Sequence, residues 1–244
     1  MPDTNELGLP VGDLVAGWEP RPAPSPVEIE GRYVRAVPLE SAWYADLFAT
    51  CCGPGDGDLW TYRPVDRPTS LAELWMHLAG VVDSPVDLTF ALIPTEGELA
   101  GKAAGVASYL RIEPAHGQVE VAGVLFARGL QRTRAATEAI HLLMRHAFDD
   151  LGYRRFEWKC DSLNEPSRRA AVRLGFTYEG RFRNHLVIKG RNRDTDWFSV
   201  TSEEWPAVRA AHEQWLDPSN FDVAGRQRVS LSALSAPDGQ RPAR

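Results

Sequence analysis

The sequence predicts an α/β (α+β) domain, a mixed and mostly antiparallel sheet flanked by helices. Three observations lead there. Residues 88–93, 103–112 and 118–126 are short, largely apolar runs joined by turn residues such as Pro94, Gly97, Pro114 and Gly117, so they read as an antiparallel meander. The run from Gln118 to Asp150 changes period halfway. Val119, Val121, Gly123 and Leu125 alternate with Glu120, Ala122, Val124 and Phe126, both sets largely apolar, as in a central strand covered on both faces. Ile140, Leu143, Met144, Ala147, Phe148 and Leu151 then recur at helical spacing, with one buried stripe. Strand and helix patterns continue to about residue 200, for an order β-α-α-β-β-β-α-β-α-β-β.

The elements follow in chain order. Residues 1–29 carry Pro20, Pro22, Pro24 and Pro26 in alternation and cannot form a regular helix. They are expected to be an arm outside the core, with Trp18 free to dock. The folded domain is expected over 30–217, starting with a strand at 31–37. Trp43, Leu47 and Phe48 suit a helix over 41–50, which Gly53, Pro54, Gly55 and Gly57 break. The aromatic stretch Leu59-Trp60-Thr61-Tyr62 is either cover for the core or a wall of a substrate pocket. Ser70-Leu71-Ala72-Glu73 is a capping box for a helix reaching Val82.

Gly152 is expected to cap the long central helix. A strand over 154–161 puts Phe156, Trp158 and Cys160 on one face, and Arg155, Glu157 and Lys159 on a face that looks solvated. A helix over 164–174, stopped by Gly175, precedes strands at 176–183 and 187–199. Thr201-Ser202-Glu203-Glu204 is a second capping box, for a helix carrying Trp205, Val208 and Trp215. Residues 218–244 are polar and mixed, and are expected to be a loosely ordered tail.

Composition narrows the function classes. The chain has 244 residues, 43% of them hydrophobic, as in ordinary globular proteins. A formal charge of −6 argues against general nucleic-acid affinity. Cys51, Cys52 and Cys160 form no CxxC pair and no even framework, which fits a reducing cytoplasmic setting without a metal site. The N-terminus is acidic and no apolar run approaches a membrane span, so neither a signal peptide nor a membrane partner is expected.

The chemistry is expected where the central strand meets its helix. Arg128, Arg132 and Arg134 sit there beside Thr133 and Thr137. A helix N-terminus carries partial positive charge, so clustered arginines are unfavourable unless an anion binds, held by free N–H groups and guanidinium forks. The bland alternative is a solvated basic loop. There is no Walker loop and no GxGxxG.

The stretch Gln131-Arg132-Thr133-Arg134-Ala135-Ala136-Thr137-Glu138-Ala139 resembles the Q/R-x-x-G-x-G/A loop of the GNAT superfamily of N-acetyltransferases. Its Thr-Glu-Ala run is closest to the RimJ/RimL-type branch. Asn164-Glu165-Pro166-Ser167-Arg168-Arg169-Ala170-Ala171, followed by Leu174-Gly175-Phe176, is similar to the second signature, N-x-x-S-x-x-x-A with LGF, at the expected separation.

The resemblance implies the GNAT acyl-CoA N-acyltransferase fold, acetyl-CoA as cosubstrate, no metal, and direct transfer of acetyl to an amine. It implies that Gln131, Arg132, Thr133, Arg134, Ala135, Ala136 and Thr137 hold the pyrophosphate. It also implies that the backbone of Val124, Leu125 and Phe126 pairs with pantetheine, and that Asn164 and Ser167 lie near the thioester. Asn164 also suits a plain N-cap. The family's first loop glycine falls on Arg134, so either the loop path differs or Arg134 is helical and aimed at phosphate. A bulge that frees the strand's polar groups is permitted by Ala127-Arg128-Gly129.

Glu120 is the candidate general base. A carboxylate amid apolar neighbours is costly unless paired, wet or functional, and burial raises its pKa toward a useful range. The structural alternative is an ion pair with Arg111 or Arg155, and Glu157 is the second candidate base. Ser167 is the candidate acid for the departing thiolate, with Tyr178 and His185 behind it. Cys160 reads as a core residue, while His141 and His146 read as exposed and inert.

The acceptor pocket is expected from 41–83 and the hairpin Lys189-Gly190-Arg191-Asn192. The acceptor is a protein N-terminal α-amine, a small amine or a polyamine. A non-catalytic acyl-CoA sensor is the alternative function. The expected partners are acetyl-CoA and the amine, with neither nucleic acid nor membrane, and a homodimer left open.

Overall fold

The computed structural model describes residues 3–82, 84 and 86–235. The arm opens with a small antiparallel hairpin, β1 (Asp3–Thr4) and β2 (Pro10–Val11). It then docks on the domain. The Trp18 indole donates to Ala115 O (3.0 Å), Arg21 N donates to Pro114 O (2.9 Å), and the Arg21 guanidinium sits 4.7 Å from the Trp18 ring.

The domain runs through β3 (Ile29–Glu30), β4 (Val34–Pro38), α1 (Tyr44–Cys51) and α2 (Leu71–Val82). The meander follows as β5 (Leu88–Pro94), β6 (Gly105–Glu113) and β7 (Gln118–Phe126). Next come α3 (Arg134–Arg145), extended by a π-helical turn at His146–Asp150, then β8 (Arg155–Asp161) and α4 (Glu165–Arg173). The chain closes with β9 (Thr177–Ile188), β10 (Arg191–Thr201), α5 (Trp205–Leu216) and α6 (Leu231–Ser235). Eight strands form one sheet in the order β3-β4-β5-β6-β7-β8-β10-β9. Every neighbouring pair is antiparallel except β7 and β8, which the α3 crossover makes parallel. The expected first strand at 31–37 is thus two short strands with a turn between them.

The core forms where α3 and α5 cover one face of this sheet. Ile140, Leu143 and Met144 are fully buried, and Phe148 meets Phe156 of β8 and Trp205 of α5 at ring distances of 6.1 and 5.1 Å. Tyr109 of β6 donates its hydroxyl to Leu143 O at 2.6 Å, which satisfies a buried polar group. Glu138 ties α3 to the sheet edge. Its buried carboxylate accepts from the N–H groups of Arg32, Tyr33 and Val34 at 3.0, 2.6 and 3.0 Å. A Cβ on Gly31 would stand 2.5 Å from Glu138 Oε2, so the glycine makes that approach feasible. Each expected capping box forms one of its two bonds: Ser70 Oγ accepts from Glu73 N (3.2 Å), and Glu204 accepts from Thr201 N (2.8 Å) in the turn before α5.

Two expectations are corrected. Residues 218–235 are not a loose tail. Leu231 is fully buried, the Asn220 amide donates to Trp215 O and Val229 O at 3.1 Å each, and Trp215 Nε1 donates to Gln227 Oε1 at 2.8 Å. A few well-spaced anchors do what average composition concealed; residues 236–244 lie outside the described residues. His141 and His146 are buried, not exposed. His141 stands 5.8 Å from the Trp205 ring and 5.4 Å from the His212 ring, and His146 stacks on Tyr109 at 6.2 Å. Helix α3 is therefore enclosed over more of its circumference than its apolar stripe suggests. Burial holds His141 down to about 4 and His212 down to about 3.

Candidate functional site

Strands β7 and β8 pair only from Gln118↔Arg155 to Val121↔Trp158, then separate. The cause is local. Gly123 takes a φ of 61°, and the β6–β7 register slips between Val106↔Leu125 and Ser108↔Ala122, so β7 carries an extra residue. The bulge therefore lies at Gly123–Val124 and not at Ala127-Arg128-Gly129. Gly123 can enter the left-handed region without a Cβ clash, whereas Ala127 stays tied to the sheet by donating to Ala104 O at 2.8 Å.

The separation opens a cleft of about 2100 Å³. Residues 124–126, residues 131–137, Asn164, Ser167 and Glu120 all line it, whereas the second-rank candidates Glu157, Tyr178 and His185 do not. Thr133 caps α3 by accepting from Ala136 N at 3.2 Å. The N–H groups of Arg134 and Ala135 precede the first internal bond of the helix and have no protein partner among the described residues.

The three arginines separate in role. The left-handed residue is Arg132, with φ 62°, so Arg134 is helical. Arg134 is not aimed at an open anion site, because it pairs with Glu96 at 2.6 Å and lies 4.4 Å over the Tyr33 ring and 5.0 Å over Phe221. Arg128 is held by Asp56 and Asp58. Only exposed Arg132 lacks an ion-pair partner among the described residues. A fourth cation that the sequence reading missed, Arg173 of α4, donates to Thr137 Oγ1 at 3.1 Å and lies 4.7 Å over Trp215.

Glu120 is 1% exposed. The Arg111 guanidinium and the Lys159 ammonium (3.3 Å) both approach its Oε2, while Oε1 has no partner among the described residues. Burial raises its pKa, and Lys159 and Arg111 oppose that rise. The expected alternative pairing is half met, since Arg155 turns instead to Glu157 (2.6 Å) and Glu179 (2.6 Å). Glu157 is not on a solvated face. It is buried, paired with Arg155 of its own strand and with Arg111 of β6, and it does not line the cleft.

At the other wall, Asn164 caps α4 by accepting from Ser167 N at 3.2 Å. Ser167 Oγ accepts from the Trp158 indole at 3.0 Å and lies beside the Cys160 thiol, whose pKa burial pushes up to about 11. Cys160 is thus a protonated core thiol at neutral pH. Tyr178 and His185 are not at the cleft. Both are on β9, where Tyr178 packs 5.3 Å from Phe198 and His185 Nδ1 lies 2.9 Å from Thr195 Oγ1.

The aromatic stretch divides between core and cleft. Trp60 is buried and donates to Cys51 O at 2.8 Å, whereas Tyr62 lines the cleft and donates to Leu163 O at 2.9 Å. Arg63, next in the chain, donates to Gly123 O at 2.9 Å, so this segment bridges the mouth of the opening. The hairpin tip 189–192 does not line the cleft; Lys189 reaches Trp60 O at 2.9 Å, and Arg193 is the lining residue just beyond it.

Comparison with known proteins accords with this geometry. Residues 36–177 match the family model described as "Acetyltransferase (GNAT) domain". A crystal structure of a GCN5-related N-acetyltransferase from Brucella melitensis superposes with a TM-score of 0.87 at 43% identity, covering 91% of this chain and 99% of that one. A GNAT-family structure from Chromobacterium violaceum ATCC 12472 gives a TM-score of 0.74 at 36% identity, over 82% and 98%. Among curated proteins, "Putative ribosomal N-acetyltransferase YdaF" of Bacillus subtilis (strain 168) is 28% identical over 105 residues, spanning 43% of this chain and 57% of that relative. The ribosomal name accords with the RimJ/RimL-type resemblance. The chain belongs to the GNAT acetyltransferase family.

Proposed function

We propose that the chain transfers the acetyl group of acetyl-CoA to an amine by direct attack on the thioester. One observation carries the reading: a single cleft joins the anion-ready start of α3 to the buried carboxylate of Glu120. The residues fit acetyl-CoA. The free N–H groups of Arg134 and Ala135 with Arg132 suit a pyrophosphate, and the bulged backbone of 124–126 suits the amides of pantetheine by strand addition.

The amine nitrogen forms a bond to the thioester carbonyl carbon, the C–S bond breaks, and the nitrogen gives up a proton. Glu120 is placed to take that proton through Oε1. Arg111 and Lys159 keep it ionised beforehand, while burial keeps it more basic than a surface carboxylate. Ser167 accepts from Trp158, which leaves its hydroxyl hydrogen to be shared between the Cys160 thiol beside it and the departing sulfur. The acceptor is a protein N-terminal α-amine or a small amine, and the printed name of YdaF makes ribosomal-protein N-termini one class to try. The test is free-thiol release from acetyl-CoA across a panel of peptide and small amines. Tight acetyl-CoA binding without turnover on any of them would favour a sensor instead.

A further inference from the structure

The charges around Glu120 do not balance. On the polar face that spans β6 to β9, Arg111, Lys159 and Arg155 are answered by Glu120, Glu157 and Glu179 through the ion pairs described above. Arg193 of β10 is a further cation on that face. It lines the cleft, its Nε is buried, and it has no hydrogen-bond or ion-pair partner among the described residues. The acids that also line this part of the cleft are engaged elsewhere. Asp161 accepts from Leu163 N at 2.9 Å, and Asp87 accepts from Ser84 Oγ at 2.7 Å. Trp197, four residues along β10, already has Arg111 at 4.5 Å and Lys159 at 5.3 Å over its ring, so no carboxylate is stationed there for Arg193.

Two other nitrogens lining the same cleft, Arg63 Nε and His77 Nε2, are likewise buried without a partner. A half-buried guanidinium whose Nε is shut from water and that has no counter-charge favours a ligand that supplies one.

Resting on the acetyltransferase reading, we infer that the acceptor amine carries an oxyanion, a carboxylate or phosphate, that binds Arg193 beside Glu120. The cation fixes the acceptor by its anion, and the amine is then turned toward the carboxylate that deprotonates it. This disfavours polyamines, whose second positive charge would meet Arg193 and Lys159.

The experiment compares matched acceptors that differ only in that group: amino acids against their carboxamides, and aminoalkyl phosphates against amino alcohols, with spermidine as the cationic control. kcat/KM for the anionic member of at least one pair is expected to exceed its neutral partner by at least about tenfold, the size of one charged hydrogen bond. The better pair tells carboxylate from phosphate. Arg193→Gln should remove the gap by raising KM while leaving kcat and acetyl-CoA affinity unchanged, and Arg193→Lys should restore part of it. Calorimetry of the matched N-acetylated products needs no turnover, so it tests the anion site even if the transfer reading fails. Neutral or cationic acceptors used as well as anionic ones, or product binding indifferent to Arg193→Gln, overturns the inference and leaves the acetyltransferase reading standing.

Discussion

At one end of the cleft, the consecutive residues 131–137 turn into α3 and present backbone N–H groups; at the other, Arg63, Glu120, Lys159 and Arg193 arrive from four separate segments. The first end works through main chain and a helix start, so side-chain identity matters less there. That is why Arg134 is tolerated at the family's glycine position: the left-handed turn moves to Arg132, and the Arg134 guanidinium finds Glu96 and two aromatic rings. The second end works through cross-strand register, where one charge more or less changes the chemistry. A contiguous anion site is robust to substitution; a gathered proton-transfer site is not.

The sharpest way to break that contrast is Glu120→Gln. It should lower kcat by about 100- to 10,000-fold and leave acetyl-CoA affinity intact. Because burial raises the Glu120 pKa, the wild-type rate should begin to fall, on lowering pH, above the range of an ordinary glutamate. Full activity per folded molecule with a lowered melting temperature would return Glu120 to a structural role.

Leu231→Ala comes next. It should cost about 2–5 kcal/mol of stability for a fully buried leucine. It should also weaken acetyl-CoA, since Phe221 and Gln227 of the same segment line the cleft. Denaturant melts and calorimetry check both parts; unchanged stability would mean that the segment is only loosely attached.

A smaller effect distinguishes the arginines at the helix start. Arg132→Glu should weaken acetyl-CoA by roughly tenfold, with a shallower salt dependence and little change in melting temperature, as for one lost charged contact. Arg134→Glu should chiefly lower the melting temperature, because it places a carboxylate against Glu96. The reverse pattern would assign the phosphate to Arg134.

The mildest prediction concerns the scaffold that both ends share. His141 takes up its proton at about 4 in the folded chain against 6.5 when unfolded, so the unfolded state binds more protons between those values. Its contribution to stability is full above pH 6.5 and is lost as pH falls toward 4. A melting-temperature profile that is flatter over that window in His141→Phe than in wild type is the expected result.

Much of the fold was legible because its signals are local. The meander, the Ser70 turn that starts α2 and the Asn164 cap each depend on residues within a few positions of one another, and each formed. The misreadings share the opposite cause. Lys159 and Glu157 read as solvated because their strand alternates charges, yet Glu120 of β7 pairs with Lys159, and Arg111 of β6 reaches across to Glu157. His141 looked exposed because α5, which covers it, lies some 60 residues away in sequence. The sequence permits a bulge near 124–129 without placing it, and only the register against β6 locates it at Gly123.

From residue order alone come the strand–loop–helix with its cationic helix start, the helix that carries Asn164 and Ser167, and the carboxylate set in an apolar strand. Each rests on spacing along the chain, which covalent geometry and local hydrogen bonding impose before any long-range contact forms. The partners of Glu120, the unanswered charge of Arg193, the bridge from Tyr62 and Arg63, and the burial of Leu231 had to wait for the tertiary structure. They depend on which strands lie side by side and in what register, and that choice is made by packing the whole sheet against α3 and α5 at once.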